Sequence, residues 1–197
     1  HKVRVLPGEK TLRLHYANTG AYNADFDGDE MNMHFPQNEH ARAEAFNLAN
    51  TDSQYLTPTA GGPVRGLIQD HISAGVWLTS KDTFFTREVY QQLIYGCIRP
   101  EDGHSTGVRI KTVPPTVFKP QPLWTGKQVI TTILLNITPS NIAGINLISK
   151  NKIKNEYWGE GSNENEVYFR NGELLSGILD KSQYGASKFG MIHALHE

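Results

Sequence analysis

Apolar and polar side chains alternate at the start of the chain. The alternation covers residues 3–6 and residues 11–16, and Pro7 and Gly8 lie between the two runs. A period of two is typical of β-strands, and a Pro-Gly pair favours a turn. We therefore predict a β-hairpin over residues 3–16.

Three later segments place apolar residues at the three- and four-residue spacing of an amphipathic helix. The first follows Asn38, a residue type that caps helix N-termini, and the third follows Thr86. We predict a helix for each segment. Their apolar positions are Ala41, Ala45, Leu48 and Ala49; then Leu67, Ile68, His71, Ile72, Gly75 and Val76; then Val89, Tyr90, Leu93, Ile94 and Cys97.

A fourth helix is predicted to follow Thr125 and to continue to Asn136. Residues 129–133 are rich in β-branched side chains and would equally suit a strand. Thr125 and Gln128, however, have the spacing of a capping box, and this favours the helix.

The strongest hairpin signal is the Asn171-Gly172 pair, which separates residues 167–170 from residues 173–179. Asn-Gly favours a tight turn of the primed type. Earlier in the chain, Pro, Gly and Thr residues over 57–63 interrupt the apolar pattern. We place a domain boundary there, and the mixture of hairpins and helices predicts an α+β fold.

The composition fits a soluble globular protein, with 38% hydrophobic and 20% charged residues. Apolar runs such as residues 129–135 are too short to span a membrane. Cys97 is the lone cysteine and cannot form an internal disulfide, which agrees with a reducing cytosolic or nuclear compartment. Because no Met begins the chain, we expect it to be part of a longer protein.

The net charge is −1, from 19 basic and 20 acidic residues, which argues against a freestanding nucleic-acid-binding domain. The charged residues are unevenly distributed along the chain. Basic residues dominate residues 1–15, whereas four acidic residues fall within six positions shortly afterwards. The latter are Asp25, Asp27, Asp29 and Glu30.

The spacing of the three aspartates predicts a curled loop. On an extended strand, Asp25 and Asp29 would lie about 13 Å apart, too far to share one ion. On a helix, Asp27 would point away from the other two. Only a curled loop brings the three carboxylates together, and Gly28 provides the backbone freedom that such a curl needs.

Three converging carboxylates need a cation, because two like charges about 4 Å apart repel by about 4 kcal/mol at an effective dielectric constant of 20. Oxygen ligands favour Mg²⁺, Ca²⁺ or Mn²⁺ over zinc. The alternative is a solvated acidic turn that binds no metal.

Three kinds of metal site contain closely spaced aspartates. An EF-hand requires Gly at loop position 6 and Glu at position 12, but the loop has Glu30 and Pro36 there, which excludes it. A phosphotransferase of the haloacid dehalogenase type expects Thr or Val where Asp29 stands, and it remains a weak alternative. Phosphoryl transfer with two metal ions suits the loop, because its carboxylates can hold one ion and share a second that arrives with a nucleotide.

Residues 23–32, Asn-Ala-Asp-Phe-Asp-Gly-Asp-Glu-Met-Asn, resemble the signature of the largest subunit of multi-subunit DNA-directed RNA polymerases. The resemblance continues along the chain, and fungal RNA polymerase I is the most similar class. The matching segments are Pro36-Gln37 and residues 41–44, 66–70, 119–128 and 174–181, and those most like polymerase I are residues 5–11, 51–56 and 149–158.

This resemblance implies a fold and a division into domains. Residues 1–57 would form the end of the active-site domain, a double-psi β-barrel. Residues 58–197 would form a mixed α/β pore domain.

The resemblance also implies nucleotidyl transfer directed by a DNA template. Asp25, Asp27 and Asp29 would be the catalytic residues and would bind one Mg²⁺, while a second Mg²⁺ would arrive with the nucleotide. Asn23 would bind the substrate by sensing the ribose 2′-hydroxyl.

The implied partners are the second-largest polymerase subunit, other polymerase subunits, DNA template, RNA product and nucleoside triphosphates, with no membrane. The implied location is the nucleus and nucleolus. A rival hypothesis is a non-catalytic assembly module, and the isolated chain is expected to be inactive.

Overall fold

The computed structural model describes residues 1–99 and 109–196. Within these ranges the chain forms short and medium helices with two small antiparallel sheets. The α-helices are α1 (Thr19–Tyr22), α2 (Glu39–Asn47), α3 (Asp70–Thr79), α4 (Arg87–Ile98), α5 (Gly126–Ile137), α6 (Lys181–Tyr184) and α7 (Met191–Ala194). The strands are β1 (Phe84–Phe85), β2 (Trp124–Thr125), β3 (Leu147–Lys150), β4 (Glu166–Arg170) and β5 (Glu173–Ser176), and 3₁₀ helices cover Tyr16–Asn18, Thr51–Ser53 and Asn155–Trp158.

Helix α5 lies at the centre of the packing and begins with the predicted capping box. The Gln128 N–H donates to Thr125 Oγ1 at 3.2 Å, and the Thr125 N–H donates to Gln128 Oε1 at 3.0 Å. The helix therefore forms despite its β-branched residues, and it ends at Ile137, one residue beyond the prediction. It contributes Ile130 and Leu134 to one hydrophobic core and Val129 to another.

The larger core lies between α5 and a three-stranded sheet in the order β3-β4-β5. The predicted hairpin is confirmed, since β4 and β5 pair antiparallel around Asn171 and Gly172, whose φ angles are 51° and 81°. Both angles are positive, as a primed turn requires. Strand β5 ends at Ser176, before the predicted 179. The core residues of the sheet are Val167, Phe169 and Leu174.

The smaller core lies between α4 and α5. The Tyr90 ring stacks on Trp124 with 4.9 Å between centroids, and its hydroxyl lies 2.6 Å from Thr132 Oγ1. Helix α4 follows Thr86, which confirms the prediction. Helix α3 is also confirmed, but it begins at Asp70 because Gln69 has a φ of 49°, which is incompatible with a helix.

The predicted N-terminal hairpin is wrong for this chain. A turn is present, with the Glu9 N–H donating to the Leu6 carbonyl at 3.2 Å, but residues 3–16 form no strand. Val5 is 88% exposed. A two-stranded hairpin that packs on nothing is marginally stable in water, so alternation alone does not produce a ladder.

Helix α2 confirms the helix predicted after Asn38, whose Oδ1 accepts from the Ala41 N–H at 2.7 Å. No residue of α2 is buried, so its predicted apolar face packs on no core. Helices with small sheets fit the predicted α+β class. Among the described residues, none of the helices has the length and apolar character needed to cross a membrane.

Candidate metal centre

The chain enters the acidic loop through two short helical turns. The 3₁₀ helix Tyr16–Asn18 runs directly into α1, whose C-cap is Asn23. Asn23 has φ 48° and ψ 40°, a left-handed conformation in which Asn is one of the better tolerated residues. The Ala24 N–H then donates to the Thr19 carbonyl at 3.1 Å, which fixes the direction in which the loop leaves the helix.

The loop curls so that the three predicted carboxylates meet. One carboxylate oxygen from each of Asp25, Asp27 and Asp29 lies within 4.8 Å of the others. The Asp25 N–H donates to Asp29 Oδ2 at 3.1 Å and thereby joins the two ends of the motif. Gly28 has a φ of 121°, which few other residues adopt. The curled geometry expected from the spacing is therefore present.

The electrostatics of the loop show the repulsion that the spacing predicts. The Asp27 side chain raises the pKa of Asp25, first through a hydrogen bond between the two side chains and, after a desolvation contribution, through its negative charge. The neighbouring carboxyl group of Asp27 therefore disfavours ionisation of Asp25.

The donor set fits a hard divalent cation. All three side chains are exposed and offer only oxygen, the ligand type of Mg²⁺, Ca²⁺ and Mn²⁺. Over residues 1–99 and 109–196, these aspartates form the only group of three or more His, Cys, Asp or Glu side chains arranged for metal binding. His15, His34, His40, His71 and His193, which the sequence also contains, join no such group.

A cavity of about 1080 Å³ lies beside the loop. Asp29 and Glu30 border it on the side of the metal centre, and Tyr22, Phe35 and Phe46 line other parts of its wall. The space is therefore partly acidic and partly apolar.

The acidic loop makes an aromatic contact outside its own motif, which the sequence did not predict. The Phe26 ring meets the edge of the Tyr16 ring at 5.3 Å, and Tyr16 in turn meets His71 at 6.1 Å. The sequence signal for these contacts was Phe26, an aromatic residue inside the acidic motif. Its position does not reveal the other two rings, because Tyr16 and His71 lie 10 and 45 residues away from it.

Asn23, the predicted substrate-binding residue, lies at the C-terminal end of α1 with an exposed side chain. Its backbone N–H donates to the Gly20 carbonyl at 3.4 Å. The structure therefore shows a backbone role for Asn23 and an exposed side-chain amide.

Two protein-family models match this chain. The family model for RNA polymerase Rpb1, domain 2, matches residues 1–51, and the model for RNA polymerase Rpb1, domain 3, matches residues 54–197. The chain belongs to the Rpb1 family of RNA polymerase largest subunits.

Curated Rpb1-family proteins resemble this chain along its whole length. DNA-directed RNA polymerase I subunit RPA190 of Saccharomyces cerevisiae is 83% identical over all of this chain, and subunit rpa1 of Schizosaccharomyces pombe is 60% identical. DNA-directed RNA polymerase III subunit RPC1 of Homo sapiens is 40% identical over 94% of the chain. These identities confirm the resemblance to fungal RNA polymerase I.

The chain covers only part of these Rpb1-family relatives. It spans 12% of the length of each yeast protein and 13% of the human protein.

Proposed function

We propose that this chain is the part of an RNA polymerase I largest subunit that binds the catalytic Mg²⁺ for DNA-directed RNA synthesis. The observation that carries the proposal is the convergence of three carboxylates within 4.8 Å in a chain of the Rpb1 family. The proposed reaction is attack of the RNA 3′-hydroxyl on the α-phosphate of a nucleoside triphosphate, with release of pyrophosphate.

The role of Asp25, Asp27 and Asp29 is to hold the ion, with a second Mg²⁺ arriving with the nucleotide. Bound Mg²⁺ supplies activation of the attacking hydroxyl and neutralisation of phosphate charge. The curl orients the ligands in advance, because the Asp25 N–H holds the Asp29 carboxylate at 3.1 Å. Preorganised ligands need little rearrangement when the ion binds.

Asn23 is the proposed contact to the ribose of the incoming nucleotide. It precedes the first metal ligand by two residues, and its side chain is exposed. A side-chain amide both donates and accepts hydrogen bonds, as recognition of a hydroxyl requires.

We propose the domain division 1–57 and 58–197, the first as the end of a double-psi β-barrel and the second as a pore domain. The two family models change over between residues 51 and 54, close to this boundary. The exposed apolar residues near the start of the chain are consistent with further barrel strands in the whole subunit. They include Val3, Val5, Met33 and Phe35, which are 61% to 88% exposed.

Assembly with other subunits is the second proposed role, and exposed aromatic and aliphatic side chains on residues 58–197 favour it. Trp77, Ile148 and Tyr157 are each 76% or 77% exposed. Large exposed apolar side chains are typical of surfaces that partners cover. The proposed partners are the second-largest subunit, other polymerase subunits, template DNA, product RNA and nucleoside triphosphates, in the nucleus and nucleolus.

Family membership removes the support for a haloacid dehalogenase phosphotransferase. The assembly role is compatible with catalysis in the whole enzyme.

Replacing Asp27 by Ala in the full-length subunit tests the catalytic proposal. The variant polymerase should assemble normally, because Asp27 is exposed and its removal relieves repulsion, yet RNA extension should fall by orders of magnitude. Asp52→Ala is the matched control, since Asp52 is an exposed aspartate outside the loop. Normal extension by the Asp27→Ala enzyme would refute the proposal.

A further inference from the structure

The metal-binding loop has few contacts of its own within the described chain. Its three ligands are exposed, and the hydrogen bond from the Asp25 N–H to Asp29 is internal to the loop. A contact from outside the motif can therefore influence where Asp25 and Asp27 lie. The residue between them, Phe26, makes such a contact.

Phe26 meets Tyr16 in an edge-to-face contact. The two ring centroids are 5.3 Å apart, and the planes are inclined by 80°. This is a preferred geometry for aromatic pairs. Phe26 is 58% exposed, so the contact fixes the direction of the ring more than it buries apolar surface.

The backbone of Tyr16 is itself well fixed. Its carbonyl accepts from Thr19 Oγ1 at 2.6 Å, and Thr19 is only 5% exposed. One residue earlier, His15 Nδ1 accepts from the Ala17 N–H at 3.0 Å and caps the turn. The turn that carries the Tyr16 ring is therefore held by hydrogen bonds on both sides of that residue.

The same Tyr16 ring reaches helix α3. It meets the His71 ring at 6.1 Å with an inclination of 65°, and His71 also stacks on His15 at 5.9 Å. Helix α3 is anchored in the larger core through Ile72 and Leu78. The aromatic contacts thus link the loop to the packed part of residues 54–197.

We infer that Tyr16 is a positioning residue for the metal centre, acting through Phe26 and braced by His71. The inference rests on the proposed function, because it assumes that the loop binds the ion. Tyr16 touches no ligand oxygen, and its role is to limit the motion of Phe26 and hence of the flanking Asp25 and Asp27. An aromatic pair of this kind changes an equilibrium by about two- to tenfold.

The test uses the assembled polymerase with Tyr16→Leu and Tyr16→Phe in the full-length subunit. Tyr16→Leu should raise the Mg²⁺ concentration for half-maximal RNA extension by about two- to tenfold, while the rate at saturating Mg²⁺ returns to near that of the parent. Tyr16→Phe keeps both ring contacts and should behave like the parent. Tyr95→Leu is the control, because Tyr95 is a tyrosine 60% exposed on α4.

A second measurement does not depend on activity. Fe²⁺ bound at the site reduces added hydrogen peroxide to hydroxide and a hydroxyl radical and is itself oxidised to Fe³⁺. The radical cuts nearby protein backbone, so cleavage within residues 23–32 reports occupancy. Tyr16→Leu should shift the Fe²⁺ dependence of this cleavage by the same factor. His71→Leu removes the ring that supports Tyr16 but leaves the contact between Tyr16 and Phe26, and it should shift the Fe²⁺ dependence in the same direction. If the Tyr16→Leu variant does not assemble, the result with His71→Leu decides between the outcomes.

The outcomes separate this inference from the proposed function. Unchanged Mg²⁺ and Fe²⁺ dependence in the leucine variants would overturn the inference, and so would a rate loss that saturating Mg²⁺ does not restore. Persistence of the cleavage in Asp27→Ala would instead overturn the proposed function, whatever the Tyr16 variants do.

Discussion

The hydroxyl of Thr79 at the end of α3 accepts a hydrogen bond from the Leu179 N–H, 100 residues further along the chain, at 3.0 Å. The same hydroxyl donates to the Gly75 carbonyl at 2.8 Å. Thr79 and Leu179 are both fully buried. The Thr79 side chain therefore links α3 to the segment that follows β5 through a hydrogen bond.

Thr79→Val should destabilise the 197-residue chain by about 1–3 kcal/mol, because it leaves the Leu179 N–H buried without a partner. Thr79→Ser retains the hydroxyl and should lose less stability, because only the methyl group is missing. Urea unfolding of both variants measures the difference. Equal stability of the valine variant and the parent would show that another group satisfies the Leu179 N–H.

Gly28→Ala should weaken metal binding and change the stability of the folded chain little, because the exposed loop can relax when no ion is bound. A Cβ at Gly28 meets no atom within 4 Å, so the penalty comes only from the φ of 121°. Such backbone strain costs about 1–3 kcal/mol, which corresponds to about 5- to 150-fold in affinity if the loop must keep this curl to bind the ion.

Fe²⁺-directed cleavage of the assembled polymerase carrying Gly28→Ala measures that affinity. Gly96→Ala on α4 is the control, because its Cβ also meets nothing within 4 Å and its φ is not in the positive range. Unchanged cleavage in Gly28→Ala would show that the loop can bind metal in another conformation.

His196 should titrate below its ordinary pKa of 6.5, because burial, and then the charges of Arg65 and His193, lower its pKa. Its ring stacks on Tyr55 with 3.4 Å between centroids. A lowered pKa means that the folded chain binds fewer protons than the unfolded chain. The stability that the neutral His196 ring allows is therefore present above pH 6.5 and declines as the pH falls through the lowered pKa.

An NMR titration of His196 in the folded and the urea-unfolded chain measures this difference. Arg65→Gln removes a positive charge and should move the folded pKa upwards, whereas Arg65→Lys should leave it low. A folded pKa at or above the unfolded one would contradict the prediction.

Local signals in the sequence predicted local structure well. The capping box at Thr125 and the Asn171-Gly172 turn specify their elements with neighbouring atoms alone, and both form as predicted. Strands that depend on distant partners were harder to predict. The N-terminal alternation forms no sheet, and β3, which pairs with β4 through residues about 20 positions away, was not predicted.

In the candidate site, too, the local features were predictable from the sequence and the contacts between distant residues were not. The spacing of Asp25, Asp27 and Asp29 around Gly28 was sufficient to predict their convergence, because only one backbone course brings them together. The contact of Tyr16 with His71 was not predictable, because it depends on how residues 1–53 pack against α3. Metal binding by the three carboxylates stays a prediction.

Asn23 offers the sharpest test of substrate recognition, because its two possible roles can be separated. Its backbone holds a left-handed conformation with a φ of 48°, while its side-chain amide is exposed. Asn23→Gly preserves the left-handed conformation and removes the amide, whereas Asn23→Ala disturbs both. The glycine variant therefore isolates the contribution of the amide.

In the assembled polymerase, Asn23→Gly should reduce incorporation of ribonucleotides more than that of deoxyribonucleotides. A site built to bond a hydroxyl disfavours the analogue that lacks it by about 1–3 kcal/mol. Losing the amide should therefore lower the ratio of ribonucleotide to deoxyribonucleotide incorporation by about 5- to 150-fold. If Asn23 served only to end α1, the glycine variant would retain both rates, and Asn23→Ala would slow both substrates together. Single-nucleotide incorporation with matched ribo- and deoxyribonucleotides distinguishes these results. An unchanged ratio in both variants would exclude Asn23 from sugar recognition, and the selection against deoxyribonucleotides would then have to come from residues outside this loop.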